Sequence, residues 1–247
     1  MTQTLRPDNQ LTLIQKTHPL TFSNFLDSQN RQLVGHLTKI SSIRAVPITM
    51  VWGASGFGKS HVLLASARHH SDEGLGVLYL SLGNPAATPE MIQNPQNQNI
   101  ICVDNIDLVA RNAEWELALF NLFNEAKEHG TALVFSSSVS PSEIDFQLPD
   151  LLSRLTWGLA FQLQELSAKE KIGALQLHAR HRKFELAESV AAMLLDRYSR
   201  NMSDLMGLLV QIDKTSITSK KKITASFVRG LIDELGPVGL SSQSVAK

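Results

Sequence analysis

Cysteine is almost missing from this chain. Among 247 residues only Cys102 carries a thiol, so no internal disulfide can close, and a reducing cytoplasm is the expected setting. An excess of charge is missing too, since 23 Lys and Arg balance 23 Asp and Glu. Without net charge the chain carries no global mark of a nucleic-acid or membrane binder, although a local basic patch is still compatible with it. No apolar run approaches the roughly 18 residues of a membrane span. The first residues, "MTQTLRPDNQLTLIQK", hold no uninterrupted apolar core of signal-peptide length. What is present is ordinary globular material: 43% apolar and 19% charged residues, enough for one large domain or a large one with a small one.

Short β-type runs recur at 47–52, 76–81, 99–104, 131–137 and 159–163, with helical patterns between them. The clearest helix covers 114–130, where Trp115, Leu119, Leu122, Phe123 and Ala126 share one face and Gly130 is placed as the stop. Alternation of this kind predicts a mostly parallel sheet flanked by helices. The Asn-, Gln- and Pro-rich stretch 84–98 reads as the longest loop. After about residue 165 the strands cease. Ser167 and Glu170 stand at capping-box spacing, and further helices are expected over 187–199, 203–214 and 225–234. The expected organisation is a flexible arm over 1–20, an α/β core over 21–165, an all-helical domain over 166–235 and a frayed tail over 236–247.

"GASGFGKS" places Gly53, Ala54, Ser55, Gly56, Phe57, Gly58, Lys59 and Ser60 between the first strand and a helix. This fits G-x-x-x-x-G-K-S in the strand–helix setting that a phosphate cradle needs. The glycines let the backbone wrap the phosphates, Lys59 can reach their outer oxygens, and Ser60 can ligate Mg²⁺. A mere glycine-rich turn is the plainer alternative, and it has no need of that placement. Asp104, ending the third strand, is the expected carboxylate on the magnesium side; an Asp that opens a turn is the structural alternative. Asn105 follows, where many ATP-splitting proteins place a second acid. An amide cannot serve as a general base, so slow intrinsic turnover is expected, with Asn105 left to orient a water or touch the γ-phosphate.

Other candidates carry less. His178 and His181 stand three apart on a helix among Arg180, Arg182 and Lys183, which would repel a metal, and are expected as surface histidines. His69 and His70 are expected to face different directions. "SKKKIT" at 219–224 reads as a solvated basic loop.

"TFSNF" (21–25), the cradle, "IICVDNID" (100–107), "EWELALFNLFNEAKEHG" (114–130), "LPDLLSRLTWG" (148–158) and "SITSKKKITASFV" (216–228) together resemble the DnaA-related AAA+ proteins. Within them the chain looks most like the Hda branch of DnaA inactivators, over about residues 10 to 235. The resemblance implies an AAA+ P-loop core with a five-stranded parallel sheet, followed by a small helical lid. It implies bound ADP or ATP with Mg²⁺. It makes Arg154, in "LPDLLSRL", an arginine finger offered in trans to a nucleotide on a partner. The plain alternative for Arg154 is a surface pairing with Asp150, four residues earlier. Gln10, Leu11 and Leu13 resemble the family's motif for docking on the bacterial sliding clamp, the β subunit of DNA polymerase III.

The implied function is a regulator that sits on the DNA-loaded clamp, stimulates hydrolysis of DnaA-bound ATP and so limits replication initiation. DNA is then met only through the clamp, no membrane is involved, and a homo-oligomer is expected. A stand-alone AAA+ ATPase acting as helicase loader or remodeller is the alternative. Only 12 residues follow Leu235, too few for a helix-turn-helix module, so direct origin reading is not expected. Two departures from the family pattern weaken the protein's own site. Ser203 stands where a second-sensor arginine is usual, with Arg200 nearly one turn earlier, and Ser138 stands where an Asp is typical.

Overall fold

The computed structural model describes residues 20–42, 48–219 and 223–235. Gln10, Leu11 and Leu13, the tail 236–247 and the lysines of "SKKKIT" lie outside the described residues.

Five strands form one sheet: β1 (Ile48–Trp52), β2 (Val77–Ser81), β3 (Ile100–Asp104), β4 (Ala132–Ser137) and β5 (Leu159–Gln162). Every pairing is parallel, in the order β2-β3-β4-β1-β5. The apolar runs explain the order. All residues of β3 and β4 are buried, as continuous Val, Ile and Leu sequences require when helices cover both faces. β5 is short and largely exposed, which suits an edge. Each strand begins within one residue of the run that announced it.

The helices of this unit are α1 (Arg31–Leu37), α2 (Lys59–Asp72), α3 (Ala113–His129) and α4 (Pro149–Trp157). In α3 the expected face of Trp115, Leu119, Leu122, Phe123 and Ala126 is buried against Ile101, Val103, Leu133 and Phe135. Asn112 caps its start by accepting from the N–H groups of Glu114 (3.1 Å) and Trp115 (3.2 Å). Gly130 ends it in a left-handed turn with φ 73°.

Compact contacts divide the chain in two. The α/β unit holds the described residues up to Ala54 together with Lys59–Gln164, while Ser55–Gly58 group with the chain from Glu165 onward. The second unit contains α5 (Ala168–His181), α6 (Glu188–Arg197), α7 (Met202–Ser219) and α8 (Ala225–Leu235). Leu175, Leu194, Leu205, Leu209, Ile212 and Val228 make its core. The Ser167–Glu170 capping box forms as spaced, with Ser167 N donating to Glu170 Oε2 at 2.7 Å. α7 runs five residues past its expected end, and in its last turn the hydroxyls of Thr218 and Ser219 bond back to Lys214 O and Thr215 O at 2.9 and 2.6 Å.

Two histidine expectations are corrected. His178 is buried, at 6% exposure, because it lies on the inner face of α5 with Leu175 and Ala179; only His181 is exposed. His69 and His70 do not diverge: their rings meet edge to face with centroids 4.9 Å apart.

One buried carboxylate fastens the start of α4. Glu116, 3% exposed, accepts from the N–H groups of Arg111, Gln147 and Leu148, each at 2.8 Å to its nearer oxygen. Leu148 is the residue that opens α4, so this contact sets where the helix begins. Replacing Glu116 with Ala leaves three backbone donors without their acceptor, each worth about 1–3 kcal/mol when buried. The expected outcome is a loss on the order of 3 kcal/mol, read from the urea midpoint, with the α/β unit still able to fold.

Candidate functional site

β1 delivers the chain into a turn that ends in the first residue of α2. Gly56 (φ 85°) and Gly58 (φ 102°) take backbone conformations that a side chain resists, which is why the turn needs glycine there. Lys59 opens the helix and is 7% exposed. Its ammonium donates to Gly53 O at 2.7 Å and to Ala54 O at 3.1 Å. Burial lowers its pKa, and the negative charges of Asp104 and Asp107 partly oppose that. Ser60 follows on the first turn of α2, half-buried.

Asp104 closes β3 at 1% exposure. Tyr79 OH donates to its Oδ2 at 2.9 Å, and Ser136 Oγ donates to its Oδ1. Burial, and then the charge of Asp104, push the Tyr79 phenol well above its ordinary range, so it stays a donor. Ser136 works in two directions, because it also accepts from the N–H of Asn105 at 2.8 Å. Asn105 sits in the left-handed region at φ 63°, which asparagine tolerates better than most residues. The backbone there then enters a 3-10 turn, Ile106–Val109. Asp107 in that turn accepts from Ser138 Oγ.

The donor set fits a magnesium–nucleotide. A hydroxyl at Ser60 and a carboxylate at Asp104 are hard oxygen ligands of the kind Mg²⁺ takes, usually alongside water and phosphate. An ammonium and a helix N-terminus beside them suit phosphate. Ser60 and Asp104 would hold the metal, and Gly53–Ser60 would hold the phosphates.

Tyr79, Ser136 and Asp107 were not singled out from sequence. A signal existed for the serine: in "FSSS" the strand period of two puts 136 and 138 on one face and 137 on the other.

Within the second unit, Asn201 precedes α7 and caps it, accepting from Ser203 N at 2.8 Å, while its amide donates to Ser55 O at 3.4 Å. A cavity of about 290 Å³ there is lined by Ser55, Gly56, Phe57, Lys171, Arg200 and Asn201, among others. Ser203 is exposed in the first turn of α7, and Arg200, not Ser203, lines that cavity.

Arg154 lies on α4, half-buried. Its guanidinium stacks over the Phe120 ring, 4.3 Å from the centroid, and donates to Asn124 Oδ1 at 2.6 Å. Both contacts are with the outer side of α3, and neither is the Asp150 carboxylate.

The segment "TFSNF" is fixed to α2. The His61 Nε2–H faces two acceptors, Thr21 O and Asn24 Oδ1, both at 3.0 Å. The Phe25 ring meets His61 with centroids 5.1 Å apart.

Residues 16–162, more than half the chain, match the family model of the bacterial DnaA ATPase domain, and residues 168–232 match that of the Hda lid domain. Among solved structures, domain III of the Thermotoga maritima replication initiation protein DnaA is 19% identical, with 87% of this chain and 96% of that one covered and a TM-score of 0.72. AMPPCP-bound DnaA from Aquifex aeolicus is 18% identical, covering 81% and 66% with a TM-score of 0.62. The Thermotoga maritima RuvB Holliday junction branch migration motor is 14% identical, covering 88% and 72%, again at 0.62. At such identities these structures establish a shared fold.

His61 gives the unit a pH dependence. Burial, opposed by the Thr21 contact, pulls its pKa from 6.5 down to about 4. Between those values the unfolded chain binds the proton and the folded one does not, so stability falls as pH falls through that window. The expected loss from pH 7 to pH 4 is at most about 3 kcal/mol from this residue. Thermal melts across that range should show the slope, and His61→Gln should flatten it.

Proposed function

The chain belongs to the bacterial DnaA ATPase-domain family, and on that premise we propose that it is a regulator directed at DnaA itself. Its DnaA-type AAA+ core is joined to an Hda-type lid. In this proposal the cradle Gly53–Ser60 holds ADP or ATP with Mg²⁺, Gln10, Leu11 and Leu13 dock the protein on the DNA-loaded sliding clamp, and Arg154 is offered to ATP held by DnaA. DnaA then hydrolyses its own nucleotide and loses initiation activity.

One observation carries the proposal. Arg154 rests on Phe120 and Asn124 with no acidic partner among the described residues, beside a face of α3 that also leaves Leu117 56% exposed. A cation stacked on a ring and held by one neutral amide is cheaper to redeploy than one bound to a buried carboxylate. Asn105 points the same way, because an amide at that position cannot take a proton from water, which slows turnover of the protein's own nucleotide.

Arg154→Ala should fold, bind nucleotide and bind clamp, yet lose stimulation of DnaA-ATP hydrolysis. A finger supplied in trans is worth about 10³–10⁵ in rate, so the loss should be near complete in a phosphate-release assay with clamp-loaded DNA. Stimulation equal to the unmodified protein would remove Arg154 from the role.

The double substitution Leu11→Ala and Leu13→Ala should abolish co-elution with the clamp while leaving ADP affinity unchanged. A short arm gains its strength from the two equivalent pockets of a dimeric ring. Stimulation measured without clamp should therefore be equally low for both proteins.

A further inference from the structure

We propose that Asp107 supplies the acid that is missing at position 105, and that Ser138 positions it to hold the attacking water at the γ-phosphate. The inference rests on Gly53–Ser60 being the nucleotide cradle.

Three observations carry it. First, Asp107 Oδ2 accepts from Ser138 Oγ, while Oδ1 is buried with no hydrogen-bond partner among the described residues. A buried carboxylate oxygen without a donor is costly unless something arrives to donate to it. Second, Asp107 lies close enough to Lys59 for its charge to act on the ammonium, as Asp104 does from the end of β3. Gly53 N donates to Ser137 O at 3.3 Å, so Ser138 and the Asp107 carboxylate bonded to it stand beside the residue that opens the cradle. Third, the backbone explains the displacement from 105 to 107. Asn105 is committed to a left-handed turn and its N–H to Ser136, so the chain presents its next acid from the 3-10 turn that follows.

The chemistry balances without another reagent. The water oxygen bonds to the γ-phosphorus, its proton passes to Asp107 Oδ1, and the bridging P–O bond breaks with its electron pair leaving on ADP. Ser138, at the position where an acid is typical, then acts on Asp107 and not on phosphate. Two departures that each look like a loss become one rearranged pair.

The test uses the full chain loaded with ATP labelled on its terminal phosphate, followed through a single turnover, with affinity for a fluorescent ADP analogue measured in parallel. The unmodified protein should release phosphate slowly but above the buffer blank. Asp107→Asn should slow release about 10²-fold, the contribution typical of a positioned base, with ADP affinity kept within about twofold. Ser138→Ala, which keeps the carboxylate but frees it to turn, should slow release less and also spare affinity, and it stands as the test if the first variant fails to fold. Adding Asn105→Asp to Asp107→Asn should restore part of the rate. Release by Asp107→Asn at the unmodified rate overturns the proposal, as does an unmodified protein that binds nucleotide and releases no phosphate. Failure of the unmodified protein to bind ADP would instead overturn the cradle.

Discussion

The parallel pairing of β4 with β1 on one side and β3 on the other is the constraint on which the site depends. Without β4 the cradle after β1 and the carboxylate ending β3 would come from neighbouring strands, with no polar residue between them. With it, the C-terminal end of β4 is interposed, and its serines meet the chain leaving β3. Ser136 binds Asp104 and the N–H of Asn105; Ser138 binds Asp107. Burial constrains the strand order: the two wholly buried strands, β3 and β4, lie inside the sheet, where helices cover both faces. The same hydrophobic pattern that builds the core therefore decides which hydroxyls face which carboxylates.

Those hydroxyls have an electrostatic task. Asp104 is nearly fully buried beside a buried lysine, and burial of charge is tolerated only where hydrogen bonds and opposite charge replace water. Tyr79 and Ser136 supply the hydrogen bonds, while Lys59 supplies the charge. Lys59 is in turn held by two carbonyls of its own turn. Neither group is free to wander, which is the preorganisation a metal–phosphate ligand needs. The segment Thr21–Phe25 is held to α2 by His61, two residues beyond Lys59, so the fastening of that segment and the cradle share one helix.

The architecture was legible because its signals are periodic. Five apolar runs, the face of α3, Gly130 and the Ser167 capping box each follow from local spacing, and each formed where spacing put it. The glycine turn after β1 and the place of Asp104 at the end of β3 were legible because motif and strand end coincide. The partners of Asp104 were not. Tyr79 lies 25 residues away, and its register partner is Cys102, so the contact with Asp104 exists only after β2 pairs with β3. Glu116 is similar: a charged residue in a helix reads as solvent-facing, and nothing local shows that the backbone at 147–148 will come to it. His178 misled for the opposite reason, since its charged sequence neighbours say little about a face shared with Leu175 and Ala179.

The placements of one carboxylate and one guanidinium distinguish the two proposed roles, one at the protein's own nucleotide and one at a partner's. Asp107 is bonded to Ser138 at the end of β4, and its charge acts on Lys59 of the same unit. Arg154 faces outward from α4, propped on an aromatic ring and an amide that hold it without neutralising it. Glu116 links the two sides mechanically, because its one carboxylate receives both the N–H of Arg111, which follows the turn carrying Asp107, and those that open the helix carrying Arg154. A change in the turn after β3 is thus transmitted to the start of α4 through backbone hydrogen bonds that are costly to break. For the proposed regulator, which holds one nucleotide and acts on another, that is where dependence of the arginine on the bound ligand has a physical route.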